Sequence, residues 1–367
     1  MSVKKILHLF SKYQGDYPLV DDLLLRLDRG RYESIVCFLR GRPENQTRLE
    51  KNGIETVYLE HISSKRRGVS LSKLNRLKKI VTEKGIDLIH CQRHKPTVYG
   101  VLTSVLTGGI PVVTTVHGSG RTRSLRRKLV NRFLYKKVSR IITVSNSVKK
   151  DVLRTNNWLT EQRVTTVQNG IECSKLQSMD GISKKQARGE ILAGFEDNYW
   201  FGVVGRLTAV KNHERLIRAF AAVVSRQPAT ILLIAGTGEL EMDLKGLIHD
   251  VGLEERVHLL GYRRDIPMFL RSLDCFVFPS LSEGLGLALL EAMAARLPVI
   301  VSDIEASREV IDGCECGVFV DPMDMEEMGT AMLRMREMDE ERHRIRGGKG
   351  GGGSWSLLPW NVWQRKL

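Results

Sequence analysis

Short apolar runs recur through the first half of the chain at Ile6–Phe10, Ser34–Phe38, Thr56–Tyr58, Leu88–His90, Val112–Val116, Ile141–Val144 and Val164–Val167. Longer stretches with apolar residues at helical spacing separate most of them. Runs this short and this apolar predict strands buried on both faces, and their alternation with helices predicts a mainly parallel sheet covered on both sides. The rhythm breaks after Asn169-Gly170 into a polar stretch, residues 174–198. It restarts at Tyr199–Val204, Thr230–Ala235, Val257–Leu260, Cys275–Phe278, Val299–Val301 and Gly317–Val320. Between these runs, Glu214–Val224 carries Leu216, Ile217, Phe220 and Val224 on one helical face. The pattern predicts an α/β protein of two Rossmann-like, doubly wound domains, residues 1–172 and 173–345, facing each other across a cleft. Parallel sheets of this kind bind ligands at the carboxyl ends of their strands.

Residues 346–367 depart from both patterns. A glycine run, Gly350 to Gly353, leads into a segment holding Trp355, Trp360 and Trp363 without a repeating period. This tail reads as a degenerate or frameshifted end. No run approaches the roughly 18 apolar residues of a membrane span, and the N-terminal run is too short for a signal peptide. Both features predict a cytoplasmic protein. The cysteines, Cys37, Cys91, Cys173, Cys275, Cys314 and Cys316, lack zinc-site spacing and read as reduced thiols.

Charge changes this picture. The net charge is +15, yet residues 1–172 hold 33 Lys and Arg against 14 Asp and Glu, leaving 24 against 28 in the remainder. All the excess basicity therefore lies in the first half. Nine basic residues and no acid fall between Arg121 and Arg140, where Leu125, Leu129, Phe133 and Leu134 recur at helical spacing. A second basic stretch, Lys65 to Lys79, carries Val69, Leu71, Leu74 and Leu77. Basic amphipathic segments point to an anionic partner. Without a nucleic-acid motif or interleaved aromatics, an anionic membrane surface is preferred and no nucleic acid is expected.

Two segments carry candidate chemistry. In the first, a strand ending at Phe278 runs into a turn with Glu283, Gly284, Leu285 and Gly286, then a helix bearing Glu291. Glycines at a helix start let a phosphate approach unpaired backbone N–H groups, and the helix dipole favours that anion. In the second, the strand Tyr199–Val204 leads to Arg206 and then Lys211, two cations suited to a diphosphate leaving group. Asn212 is expected to cap the following helix.

Together these segments resemble glycosyltransferase family 4, retaining enzymes of the two-Rossmann GT-B architecture. Other stretches fit the same pattern in order: Thr114-Thr115-Val116-His117-Gly118, Val144-Ser145-Asn146-Ser147, Gln168-Asn169-Gly170-Ile171, Ala235-Gly236-Thr237-Gly238-Glu239, Leu260-Gly261-Tyr262 and Pro298-Val299-Ile300. The opening segment around Gly15 looks like members that build lipopolysaccharide core or related surface glycans. The resemblance implies transfer of a sugar from a nucleotide-diphosphate donor to a lipopolysaccharide-core, lipid-linked or related glycan acceptor, at the inner face of the cytoplasmic membrane. It implies that Arg206 and Lys211 neutralise the departing diphosphate and that Glu291 holds the ribose. Glu283 and the amides from Gly284 to Gly286 would contact the donor, His117 would face the transferred sugar, and Gly15 would lie near the donor phosphate. With no Asp-x-Asp in the chain, protein cations are expected to replace a metal, and no cofactor is expected. Arg296 stands where the family's pattern has a glycine, and Gly15 stands alone where it has two. The alternatives are a sugar-nucleotide epimerase of the same fold and a catalytically inactive, basic membrane-binding module.

Overall fold

The computed structural model describes residues 2–13, 18–60, 68–120, 125–311 and 317–345. The chain forms two compact units, Met1–Asn169 and Gly170–Leu367. In the first, seven strands order as β3-β2-β1-β4-β5-β6-β7: β1 Lys4–Phe10, β2 Tyr32–Phe38, β3 Glu55–Tyr58, β4 Leu88–Gln92, β5 Val112–Val116, β6 Arg140–Thr143 and β7 Val164–Thr166. In the second, six order as β10-β9-β8-β11-β12-β13: β8 Tyr199–Val204, β9 Thr230–Ala235, β10 Val257–Gly261, β11 Cys275–Phe278, β12 Val299–Ser302 and β13 Gly317–Val320. Every strand pair is parallel. Both sheets are therefore Rossmann-like, and each reverses its strand order once, at β1/β4 and at β8/β11.

Burial explains the strands. All six residues of β9 are buried, as expected of a sheet covered on both faces. Side chains alternate between two cores: Phe201, Leu232, Ile234 and Val277 enter one, while Trp200, Ile231, Leu233 and Phe276 enter the other. Helix His213–Arg226 buries Leu216, Ile217, Phe220 and Val223 into the first of these. The final helix, Met325–Ile345, packs on that same helix through Met328, Met332 and Met335. The tail that follows it, residues 346–367, lies outside the described residues.

Two local expectations change, and the Arg296 departure takes a definite form. Asn212 precedes helix His213–Arg226 but does not cap it. Its backbone is left-handed (φ 60°), which points the side chain away, and Nδ2 donates to the Pro322 carbonyl at 2.7 Å. Arg296 follows helix Leu287–Ala294 with φ 61°, the conformation a glycine adopts without a Cβ clash. Arg296 thus carries the backbone strain that the family's glycine avoids. In the basic helix Leu125–Lys137, Leu134 is buried, but Leu129 and Phe133 point outward, 64% and 72% exposed. The inner face is filled by Asn131, Leu134 and Tyr135, with Val138 buried just beyond the helix end.

The polar stretch 174–198 folds because Arg188 anchors it. Arg188 is buried, pairs with Asp274, and donates to the carbonyls of Ser272 (3.0 Å), Glu196 (2.6 Å) and Asn198 (2.9 Å). Asp274 also accepts from Lys184 at 2.6 Å and from the Trp200 backbone N–H at 2.7 Å. Removing one partner of a buried pair strands the other charge. Arg188→Met is therefore expected to cost about 3–5 kcal/mol of stability, read from urea unfolding; a loss below about 1 kcal/mol would show that Asp274 finds full compensation elsewhere.

Candidate functional site

The β8/β11 reversal in the second unit carries the candidate site. Connections from β8 and β11 leave toward opposite faces of the sheet, opening a crevice between the loops at their carboxyl ends. Residues 205–212 follow β8, and residues 279–286 follow β11. A backbone bond ties the two loops, with Leu281 N–H donating to the Val210 carbonyl at 2.8 Å. A side-chain bond joins them too: Lys211 Nζ lies 2.5 Å from Glu283 Oε1, and both side chains are mostly buried. The Lys211 ammonium also sits 5.5 Å from the centre of the Phe278 ring, a favourable cation–π distance.

Glycines allow a third loop to brace the first. Gly236 has φ +147°, and a Cβ there would stand 1.9 Å from the Gly205 carbonyl oxygen. A Cβ on Gly238 would meet the Leu207 carbonyl oxygen at 2.2 Å. The resulting backbone contact is hydrogen-bonded, Leu207 N–H to Thr237 O at 3.0 Å and Leu240 N–H to Leu207 O at 3.1 Å. Arg206 is held at the centre of this contact. Its own side chain is exposed and makes no hydrogen bond or ion pair among the described residues.

On the other side of the crevice, Gly286 adopts φ +85° at the start of helix Leu287–Ala294. A Cβ at Gly286 would meet the Phe278 ring at 2.9 Å. Among the described residues the backbone N–H groups of Leu285 and Gly286 donate to nothing, which leaves unpaired donors at a helix N-terminus. The helix begins at Leu287, so Glu291 lies about one turn in, closer to the loop than a helix starting near Glu283 would place it. The Glu291 carboxyl makes no hydrogen bond among the described residues. Burial raises its pKa from the ordinary 4.5 to about 7, partly opposed by Lys175. Lys175 itself pairs with Glu172 at 2.8 Å.

Arg206, Lys211, Glu283, Gly284, Leu285, Gly286 and Glu291 thus all lie on the β8 and β11 connections. Two further members, Phe278 and Lys175, escaped the sequence reading. Phe278 reads as an ordinary strand end, and Lys175 sits in a polar stretch with no motif. His117 follows β5 in the first unit, where its Nε2 is 2.5 Å from Gln92 Oε1. Gln92 was legible only as a residue beyond the strand Leu88–His90, which in fact runs on to include it. Gly15 lies outside the described residues. Among the described residues no group of three or more His, Cys, Asp or Glu is placed to hold a metal ion.

Comparisons with known proteins bear on the family and the fold. Residues 19–175 match the family model described as Glycosyltransferase Family 4, and residues 186–348 the one described as Glycosyl transferases group 1. The chain is 31% identical, over 74% of its length and 73% of the other's, to the UDP-Gal:alpha-D-GlcNAc-diphosphoundecaprenol alpha-1,3-galactosyltransferase of Escherichia coli. It is 26% identical, over 72% of its length and 71% of the other's, to a Campylobacter jejuni enzyme, the N-acetylgalactosamine-N,N'-diacetylbacillosaminyl-diphospho-undecaprenol 4-alpha-N-acetylgalactosaminyltransferase. The crystal structure of Anabaena HepE in complex with UDP and glucose superposes with a TM-score of 0.76 at 22% identity, covering 92% of this chain and 91% of that one.

Glu291 ties stability to pH. Its folded pKa lies above that of an exposed carboxylate, so its ionisation costs stability as pH rises from about 4.5 through about 7. Glu291→Gln is expected to stabilise the protein by about 1–3 kcal/mol at pH 8 and by almost nothing at pH 4. Urea unfolding at the two pH values measures the difference, and equal effects would contradict a buried, unpaired carboxylate.

Proposed function

The chain belongs to the family 4 glycosyltransferases, of the GT-B fold class, and from that premise we propose that it moves a hexose from a uridine-diphosphate sugar to a lipid-diphosphate-linked glycan. The observation that carries the donor half is the β8/β11 crevice. Arg206, the Lys211–Glu283 pair, the unpaired amides of Leu285 and Gly286 and a half-buried carboxyl gather there on two hydrogen-bonded loops. As the anomeric C–O bond breaks, negative charge grows on the leaving diphosphate. Arg206, Lys211 and the amides of Leu285 and Gly286 stabilise it in a site shaped beforehand. Glu291 accepts the ribose hydroxyls, and Glu283 grips the sugar. His117 hydrogen-bonds the transferred sugar, the role the family resemblance assigns it. The acceptor hydroxyl attacks the face the diphosphate leaves and passes its proton to the departing phosphate oxygen, so the anomeric configuration is retained. The cations supply the charge a metal would supply, and no metal is required. Uridine is proposed because the Escherichia coli relative and the Anabaena complex are both described with UDP or its sugar.

The acceptor half rests on the first unit. Lys73, almost fully buried, pairs with Glu60 at 2.8 Å. Burial lowers the Lys95 pKa, and the Arg40 and Lys73 charges lower it further against a single opposing Glu60. Three cations around one carboxylate, at the carboxyl ends of β2, β3 and β4, favour an anionic group such as the acceptor's diphosphate. Outside this cluster, exposed Leu129 and Phe133 share helix Leu125–Lys137 with Arg127, Arg132, Lys136 and Lys137. That surface suits attachment to the cytoplasmic face of an anionic membrane, where a lipid-linked acceptor resides. No helix among the described residues is long and apolar enough to cross one.

The test is a calorimetric donor screen with UDP-, GDP- and ADP-sugars in the presence of a chelator. A UDP-sugar is expected to bind with micromolar Kd or tighter, about −8 kcal/mol. Arg206→Ala is expected to lower turnover about 100- to 1,000-fold. Hydrolysis-free interconversion of the donor without acceptor would instead identify an epimerase. The membrane reading makes a separate prediction. Sedimentation with vesicles containing an anionic lipid should weaken about tenfold for the Leu129→Asp, Phe133→Asp double variant, and binding that survives both the substitutions and high salt would contradict it.

A further inference from the structure

The direction of the Lys211 side chain is set by the residue that follows it. Asn212 stands between the short turn Ala209–Lys211 and helix His213–Arg226, and its backbone is left-handed, with φ 60° and ψ 28°. A side chain is unfavourable in that conformation, and asparagine is among the few residues that bear it. A right-handed residue at 212 would run the helix back into the turn and carry Lys211 onto the helix surface. The left-handed residue breaks that continuation. The turn before it closes with Lys211 N–H donating to the Thr208 carbonyl at 2.9 Å and Asn212 N–H to the Ala209 carbonyl at 3.2 Å. From there the lysine stem passes over Gly205, where a Cβ would stand 3.3 Å from Lys211 Cδ and 3.4 Å from Cε. The ammonium then arrives beside Glu283 and the Phe278 ring.

Glycine would make the same turn without a steric cost, so the asparagine side chain has its own part. Asn212 is only 3% exposed. Its Nδ2 donates to the Pro322 carbonyl at 2.7 Å, and its Oδ1 accepts from Arg215 Nη1 at 3.1 Å. Both ends of the amide are therefore used. Pro322 lies between β13 and helix Met325–Ile345, and β13 is three places from β8 in the sheet. The amide thus ties the Lys211 loop to the β13 connection, while the Leu281–Val210 bond ties it to the β11 connection. We propose that Asn212 is a positioning residue for Lys211: its left-handed turn aims the lysine across Gly205, and its amide bond to Pro322 keeps the turn from relaxing into the helix. The use of that aim for a diphosphate rests on the functional reading above; the orientation does not. The residue type misleads in the sequence, because asparagine serves both as a helix N-cap and in left-handed turns.

The test is calorimetry of full-length protein with UDP in the presence of a chelator, joined to crystallography of one variant. Lys211→Gln is expected to weaken UDP binding about 10- to 100-fold. Asn212→Ala loses both the amide and the tolerance for a left-handed backbone and should weaken it about tenfold; Asn212→Gly keeps the turn and should weaken it only about threefold. The double variant decides whether Asn212 acts through Lys211. With Lys211→Gln in place, Asn212→Ala should weaken UDP by less than about a further twofold. A loss as large as in the wild-type background would mark a general structural role and overturn the proposal. The crystal structure of Asn212→Ala without ligand is expected to show Lys211 Nζ withdrawn from Glu283, and an intact pair would overturn the proposal whatever UDP does. Should Asn212→Ala fail to fold, Asn212→Gly decides: a loss above about tenfold in a variant that keeps the turn would show that the turn does not aim Lys211. Absence of UDP binding by the wild type, or full affinity in Lys211→Gln, would count against the donor reading, and the crystal structure still decides the role of Asn212.

Discussion

Two loops held together at the carboxyl ends of β8 and β11 support everything else at the candidate donor site. A buried lysine and a buried glutamate are each costly to hold away from water, and they become tolerable only when they share a short, charge-assisted bond. Lys211 and Glu283 do so at 2.5 Å, and the neighbouring backbone bond from Leu281 to Val210 sets the register between their loops. Among the described residues this pairing leaves Arg206 as a cation without a protein partner, and it leaves the amides of Leu285 and Gly286 as donors without acceptors. A dianionic ligand would complete both.

Backbone proximity gives that arrangement its rigidity. Gly236 and Gly238 let one loop lie directly on another, so the position of Arg206 is set by main-chain bonds and not by its own flexible side chain. Arg296 shows what the same requirement costs elsewhere: its backbone takes a left-handed turn with a Cβ in place. The family resemblance marks both kinds of position, but only the torsions reveal which glycine is needed for close approach and which substitution is paid for in strain.

The two units solve different problems with one topology. In the second, ionisable groups gather at the strand ends, with Arg206 exposed and Lys211 and Glu283 mostly buried. In the first, His8 and His90 are drawn into the sheet, where burial holds their pKa values well below the ordinary 6.5 and keeps both rings neutral. His117 follows β5 at the end of that interior, and its partner Gln92 is buried within it. Charge follows the same division. The basic excess of the first unit gathers around Glu60 and along an outward-facing helix, whereas the charges of the second unit largely pair internally.

Local chemistry by itself determined the architecture and singled out the candidate donor-site residues. Every strand of both sheets is visible as a short apolar run, because strands buried on both faces must be apolar at nearly every position. Arg206, Lys211, Glu283 and Glu291 stand out because glycines and charges at a strand-to-helix junction are a local pattern. Tertiary structure alone decided what depends on contacts between distant segments: the approach of Lys175 to Glu291, the outward turn of Leu129 and Phe133, the left-handed Asn212, and the meeting of Gln92 with His117. Spacing along one element carries no information about which residue of another element lies opposite it, and those neighbours set both the burial of Glu291 and the contact between His117 and Gln92.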